Sequence, residues 1–113
     1  MSSIIEVKSF EFAIRIVNLY KYLAEKKKFI LSKQLLRCGT SIGANVSEAK
    51  HAQSRADFIS KMSIALKETS ETKYWIRLLT AVGYINEKES LSILEDCVEL
   101  EKILVSIVKN TKQ

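Results

Sequence analysis

The sequence predicts an all-α fold, an antiparallel up-down-up-down four-helix bundle forming a single domain over residues 1–113. Three observations carry that prediction. The chain has no proline and only three glycines, so the usual interruptions of a helix are nearly absent. Apolar residues, 47% of the total, recur at steps of three and four in four successive segments. The breaks between those segments are short, which makes consecutive helices antiparallel neighbours. A chain of this length buries roughly two-thirds of its unfolded surface and needs no metal or disulfide to hold a core.

The first helix is expected to begin within residues 4–10 and to end near Glu25, burying the face that carries Phe10, Ala13, Ile14, Val17, Tyr20 and Ala24. Lys26-Lys27-Lys28 then makes a charged connection, and positive charge suits the C-terminal end of a helix dipole. Ser32 is the expected N-cap of the second helix. Its seam runs Leu35, Gly39, Ile42, Val46, Ala49 and Gln53, alternating fours and threes as bundle helices do. Gly39 and Gly43 each cost about 1 kcal/mol inside a helix; close packing against another helix is favoured over ligand approach as the compensation. Ser54-Arg55-Ala56-Asp57 is a start signal for the third helix. Its seam is Phe58, Met62, Ala65, Thr69, Thr72, Ile76 and Leu79, closed by a C-terminal glycine cap at Gly83. Asn86 with Glu89 opens a fourth helix that has acids in its first turn. That helix carries two adjacent apolar stripes, Leu91/Leu94/Val98/Val105/Val108 and Ile93/Cys97/Leu100/Leu104/Ile107. Met1–Ser3 and Asn110–Gln113 are expected to fray.

The longest apolar run is three residues, as in Ile103-Leu104-Val105, against about 20 for a membrane-spanning helix and about 7–15 for a signal peptide. The expectation is a cytoplasmic protein with no membrane partner. Cys38 and Cys97 lie far apart with no C-x-x-C, which favours reduced thiols. Eighteen basic against thirteen acidic side chains give a net charge of +5, with a pI near 9.3. That permits nucleic acid or another acidic partner. The charge is unevenly placed. Residues 21–37 hold Lys21, Lys26, Lys27, Lys28, Lys33 and Arg37 against Glu25, whereas residues 86–101 hold Glu87, Glu89, Glu95, Asp96, Glu99 and Glu101 against Lys88.

Nothing in the sequence builds a catalytic site. His51 has neither a marked nucleophile nor an orienting partner and reads as a solvated surface residue. Glu48-Ala49-Lys50-His51 is formally E-x-x-H, but one copy cannot make the two-metal centre of a four-helix bundle. One histidine and two remote cysteines do not make a zinc site, and Gly39–Gly43 lacks the G-K-[ST] ending of a phosphate loop. The expectation is no enzyme, no metal and no cofactor. Arg37, Ser41, Asn45 and Glu48 share a flank of the second helix. They read either as a polar cluster reaching a ligand or RNA or, in preference, as an intrachain network in which Arg37 meets Glu68 or Glu71. Tyr74-Trp75 could stack on bases, but core or interface is the favoured reading. For nucleic acid the candidates are Lys26, Lys27, Lys28, Lys33 and Arg37, with a weaker stripe of Arg55, Lys73 and Arg77 on the third helix.

The central segment resembles a known family. Its carriers are Ser32-Lys33-Gln34-Leu35-Leu36-Arg37, Ser41-Ile42-Gly43-Ala44-Asn45-Val46-Ser47-Glu48-Ala49, Asp57-Phe58, Lys61, and Ala65-Leu66-Lys67-Glu68-Thr69-Ser70-Glu71-Thr72-Lys73-Tyr74-Trp75. Together, over roughly residues 10–82, these resemble the bacterial 23S rRNA intervening-sequence proteins, also labelled four helix bundle proteins. Ala49 departs from the glycine common there, and the last helix is similar only in being amphipathic. The resemblance implies a small all-α bundle that assembles into a pentameric homo-oligomer, without known enzymatic activity. It also implies an association with RNA, because such proteins are encoded within insertions in 23S rRNA genes. A related bundle, the accessory variability protein of diversity-generating retroelements, is a basic pentamer that binds a reverse transcriptase and nucleic acid.

Two functions follow as expectations: an oligomeric module whose basic surface engages RNA, or a scaffold for itself or for a protein partner such as a reverse transcriptase. One apolar stripe of the fourth helix suffices for an intrachain core, so the other is expected at an interface. The stripe assigned to that interface is Ile93, Cys97, Leu100, Leu104 and Ile107, with Glu95, Asp96 and Glu99 near basic residues of a neighbour's first or second helix. Unlike patches meeting head-to-tail would close into a cyclic homo-oligomer.

Overall fold

A computed structural model describes residues 3–112, and they form four helices: α1 (Ile4–Glu25), α2 (Phe29–Ala49), α3 (Arg55–Ala81) and α4 (Glu87–Lys112). Connections of three to five residues reverse the chain each time, so the helices run up-down-up-down in a bundle 44 Å long. Consecutive helices pack closely, whereas α1 meets α4 much more sparsely. Among the described residues there is no strand, and no helix is long and apolar enough to cross a membrane.

Local chemistry explains the boundaries. Ser3 and Glu6 form a reciprocal capping box at the start of α1, the Ser3 hydroxyl accepting from the Glu6 N–H at 3.3 Å. In return the Ser3 N–H and hydroxyl donate to the Glu6 carboxylate, and these bonds, with the nearby Lys50 ammonium, hold that carboxyl below its usual range. Ser54 caps α3 by accepting from the Asp57 N–H at 3.0 Å, and Asn86 does the same for Glu89 at 2.8 Å. α1 and α3 end in the same way. The Lys28 N–H donates to the Leu23 carbonyl and Lys27 N–H to Ala24, just as Tyr84 N–H donates to Leu79 and Gly83 N–H to Thr80. Both are Schellman turns, which need a left-handed residue one position past the cap. In α3 that residue is Gly83 at φ 84°, but in α1 it is Lys27 at φ 61°, where a side chain is disfavoured.

Three expectations need correction here. Ser32 does not cap α2, which starts one turn earlier at Phe29; its buried hydroxyl instead donates to the Phe29 carbonyl at 3.1 Å and to that of Lys28. Gln53 lies beyond α2 and is exposed, so the seam of that helix ends at Ala49. The face that α1 buries is Ile5, Ser9, Phe12, Ile16, Leu19 and Leu23. Phe10 and Ile14, expected inside, are 66% and 49% exposed. Of the ends expected to fray, Met1, Ser2 and Gln113 lie outside the described residues, whereas Ser3 caps α1 and residues 110–112 belong to α4.

The seams of the two middle helices lie where their periodicity places them. Leu35, Gly39, Ile42, Val46 and Ala49 of α2 are buried, as are Met62, Ala65, Thr69, Thr72, Ile76 and Leu79 of α3. Phe58 packs half-buried against the cluster that joins all four helices. The buried hydroxyls of Thr69 and Thr72 donate to carbonyls one turn back, at 2.6 and 2.7 Å, so they cost the core no unmade hydrogen bond.

Gly39 and Gly43 set the spacing between α1 and α2. A Cβ on Gly39 would stand 2.8 and 2.9 Å from Cγ1 and Cγ2 of Ile16, and one on Gly43 would stand 3.2 Å from the Ser9 carbonyl oxygen. Packing therefore explains both glycines. Gly39→Ala should destabilise by about 1–3 kcal/mol through overpacking, less the ~1 kcal/mol of helix propensity regained. Ile16→Ala opens a cavity, so its cost should be smaller in the Gly39→Ala background than in the wild type. Urea unfolding of the four proteins checks this, and strictly additive effects would show that the two side chains do not compete for the same space.

Candidate functional site

Arg37 stands between α2 and α3. Its guanidinium donates to the Gln34 side-chain oxygen at 3.3 Å, lies 3.7 Å from Glu68 and is in direct contact with Glu71. Trp75 donates its indole N–H to the same Glu71 carboxylate at 3.2 Å, and Tyr74 meets Trp75 edge-on with ring centroids 5.2 Å apart. This cluster ties the register of two helices. Ser41 and Asn45 are not part of it: the Asn45 amide donates back to the Ser41 carbonyl at 2.9 Å, and Glu48 is exposed further down the helix.

The sparse seam between α1 and α4 is closed by charge. Arg15 bonds Asp96 at 2.7 Å, Ser92 at 2.8 Å and Glu89 at 3.2 Å, and Lys8 bonds Glu99 at 2.9 Å. Burial works against the Arg15 charge, yet the bonds to Asp96 and Glu89 outweigh it and its pKa rises. Lys8 is likewise raised by its bond to Glu99. On the α3 side, Lys73 bonds Glu101 at 2.9 Å.

These pairs answer where the acidic block of residues 86–101 goes. Asp96 and Glu99, expected opposite a neighbour's basic residues, neutralise α1 of their own chain. Glu95 is exposed and makes no ion pair among the described residues. The apolar stripe assigned to an interface is also corrected. Ile93, Cys97 and Leu104 are 0% exposed and Leu100 is 1% exposed, all inside the chain's own core, with Ile107 half-buried against it. Periodicity could not choose between two stripes so close on one helix. The other stripe is the more outward one, with Leu91 70% and Val105 47% exposed and Leu94 and Val98 half-buried, but its last member, Val108, belongs to the core.

The basic residues divide into three groups. Arg37 and Lys73 are neutralised within the chain. Arg55 donates to the Thr111 carbonyl at 2.7 Å, at the end of the bundle opposite Lys26–Lys28. Lys26, Lys27, Lys28, Lys33 and Arg77 gather at the other end, where the α1–α2 and α3–α4 connections meet; Lys28 lies 4.8 Å from the Tyr84 ring centroid and Lys26 5.1 Å from that of Tyr22. Lys21, already counted in the basic block, joins them there, as does Lys88, which charge counting along the chain placed in the acidic block. The acids at that end are Glu25, Glu87 and Glu89; Glu89 is taken by Arg15, and neither the other two nor any of the seven cations forms an ion pair among the described residues.

Other candidates offer less. His51 is exposed in the α2–α3 connection. No group of three or more His, Cys, Asp or Glu side chains able to hold a metal occurs among the described residues. An open groove of about 680 Å³ runs between α1 and α2, floored by Gly43 and walled by Val7 and Phe10.

Comparison with known proteins agrees with this architecture. The family model described as 23S rRNA-intervening sequence protein matches residues 2–106. A crystal structure of a protein with unknown function from the S23 ribosomal protein family of Bacteroides thetaiotaomicron is 57% identical. Its alignment covers 94% of this chain and 99% of that one, with a TM-score of 0.92. No curated protein matches.

The two thiols are the chemically simplest test of this interior. Burial pushes the Cys97 thiol up to about 12 and also raises Cys38, while their S–H groups point to the carbonyls of Thr69 and Leu35. At pH 8 neither should react with a thiol-specific reagent in the folded protein, and both should react in urea. Rapid labelling of either in the native state would contradict their burial.

Proposed function

Because this chain belongs to the 23S rRNA-intervening sequence protein family, we propose that it is a non-enzymatic binding module whose basic end engages RNA through phosphates. In this reading the chain assembles as a cyclic homo-oligomer, for which the resemblance described above implies a pentamer. The observation that carries the RNA reading is the end of the bundle where seven cations gather with only two acids outside ion pairs. Glu6, Glu68, Glu71, Glu89, Asp96, Glu99 and Glu101 each meet a basic side chain, and acids and bases outside that end nearly balance in number. The concentration of the net positive charge at one end supports reading that end as the RNA site.

Two details support RNA in particular. Lys27 occupies a left-handed position in which glycine would be more stable, so a charged side chain is presented there at a cost to the fold. Lys26 and Lys28 lie over the rings of Tyr22 and Tyr84, which hold those cations at this end, and half-exposed Tyr22 adds aromatic surface beside them of the kind single-stranded RNA sites use. The reading assigns no chemistry to His51 or to the buried thiols. A second reading, a scaffold for a protein partner such as a reverse transcriptase, is favoured by the exposed apolar side of α1, where Ile4 and Phe10 are 68% and 66% exposed.

Gel shifts with a structured RNA across a salt series test the first reading. Replacing Lys26, Lys27 and Lys28 by glutamine should weaken binding similarly for different sequences. It should also flatten the slope of log affinity against log salt by about 2, at roughly 0.7 per lost contact. Lys61→Gln with Lys67→Gln, on α3 away from that end, should change little. Unchanged affinity and slope in the triple variant would remove this end from the site.

A further inference from the structure

Two helices carry an apolar stripe that the bundle leaves uncovered. On α1 it consists of Val7, Phe10 and Ile14, continued by Ile4. On α4 it consists of exposed Leu91 and Val105 with half-buried Val98 between them and Leu94 at its inner edge; Leu91, Leu94 and Val98 line one shallow surface pocket. At about 100° per residue, the α1 stripe lies about 160° round the helix from its buried face, reached through the side that meets α2 at the Glu6–Lys50 pair. The α4 stripe lies about 100° from its own buried face, on the side that meets α3 at the Lys73–Glu101 pair. The stripes therefore look out from nearly opposite sides of the molecule.

They also lie at the same height. The Lys8–Glu99 and Arg15–Asp96 pairs fix the level of α1 against antiparallel α4. On that scale Phe10 is level with Val98, Ile14 with Leu94 and Ile4 with Val105, within about one turn, ~5 Å. Lys21, in line with the α1 stripe, is level with Glu87, in line with the α4 stripe, and neither forms an ion pair among the described residues. Apolar meets apolar, and the charge at one end of each stripe finds its opposite on the other.

We propose that the occupant of the α1 stripe is the α4 stripe of a second copy of this chain, packed antiparallel to it in a head-to-tail contact. Because the stripes match in height, successive copies stand side by side with the same end up, with no rise from one to the next. Such a contact uses two different surfaces per subunit and propagates until it closes. It also gathers the basic ends of all subunits on one face of the assembly. A single RNA can then meet several of those ends at once, and the second contact becomes intramolecular. This rests on the reading of the protein as a self-assembling module and names the surfaces that reading requires.

Light scattering at micromolar concentration tests it, with circular dichroism confirming the helices of each variant. The wild type should have a mass several times 12.9 kDa. Phe10→Asp and Val98→Asp should each give monomers, and Ile14→Asp and Leu91→Asp should repeat the result at a second position on each stripe. The decisive sample is an equimolar mixture of Phe10→Asp with Val98→Asp. One intact stripe on each should restore a single contact and give a dimer that grows no further. A monomeric wild type would overturn self-assembly itself. A wild-type oligomer that survives the α4 variants, or a mixture that stays monomeric, would leave self-assembly standing and overturn these surfaces.

Discussion

Gly39 places no side chain between α2 and Ile16, and Gly43 places none between α2 and the Ser9 carbonyl, so the first two helices meet closer than a Cβ on Gly39 allows and as tightly as one on Gly43 could barely tolerate. Interiors are packed at close to crystal density, and such a contact admits one arrangement of α1 and not a range of them. With Ile16 seated on Gly39, the helix must turn Phe12, Leu19 and Leu23 into the core and Phe10 and Ile14 to solvent. The glycines carry a cost in helix propensity, and what they secure is the rotation of α1. The features that bear on function follow from that rotation: Lys8 and Arg15 reach α4, and the outer stripe faces away from the chain.

The second organising fact is electrostatic. Antiparallel packing brings acids and bases far apart in sequence level with one another, and six acids are used in this way: Glu89, Asp96 and Glu99 along α1–α4, Glu101 and Glu68 with Glu71 on either side of α3. Each pair is partly exposed and contributes little alone. Their joint effect is on where charge remains. The excess of positive charge is left at one end of a 44 Å bundle, and a field concentrated there attracts a polyanion more strongly than the same charge dispersed.

The middle of the molecule was legible in the sequence because α2 and α3 have one apolar face each, flanked closely by polar residues. The Arg37 contacts with Glu68 and Glu71 were also foreseeable, since antiparallel neighbours bring those positions level. α1 and α4 were harder for a shared reason. Each has apolar residues on two faces, and periodicity identifies a face without saying which partner covers it. Thus Phe10 and Ile14 took the place of Phe12 and Ile16 in the expected core, and Cys97 and Leu104 were assigned outward in place of Leu91 and Val105. Ser32 misled differently: a serine near a helix start can cap it or, as here, lie inside the helix and donate to carbonyls three and four residues back.

The rotation of α1 is the claim on which the rest depends, and it is open to a direct measurement. The unfolding free energies of Phe12→Ala and Phe10→Ala can be compared by urea titration at a protein concentration where light scattering gives a monomer, in the Val98→Asp background if the wild type associates. Phe12 is 3% exposed and Phe10 66% exposed. The loss at Phe12 should therefore be about 3–5 kcal/mol, and that at Phe10 within about 0.5 kcal/mol of zero. Equal losses, or a larger loss at Phe10, would mean that α1 presents its other face to the core.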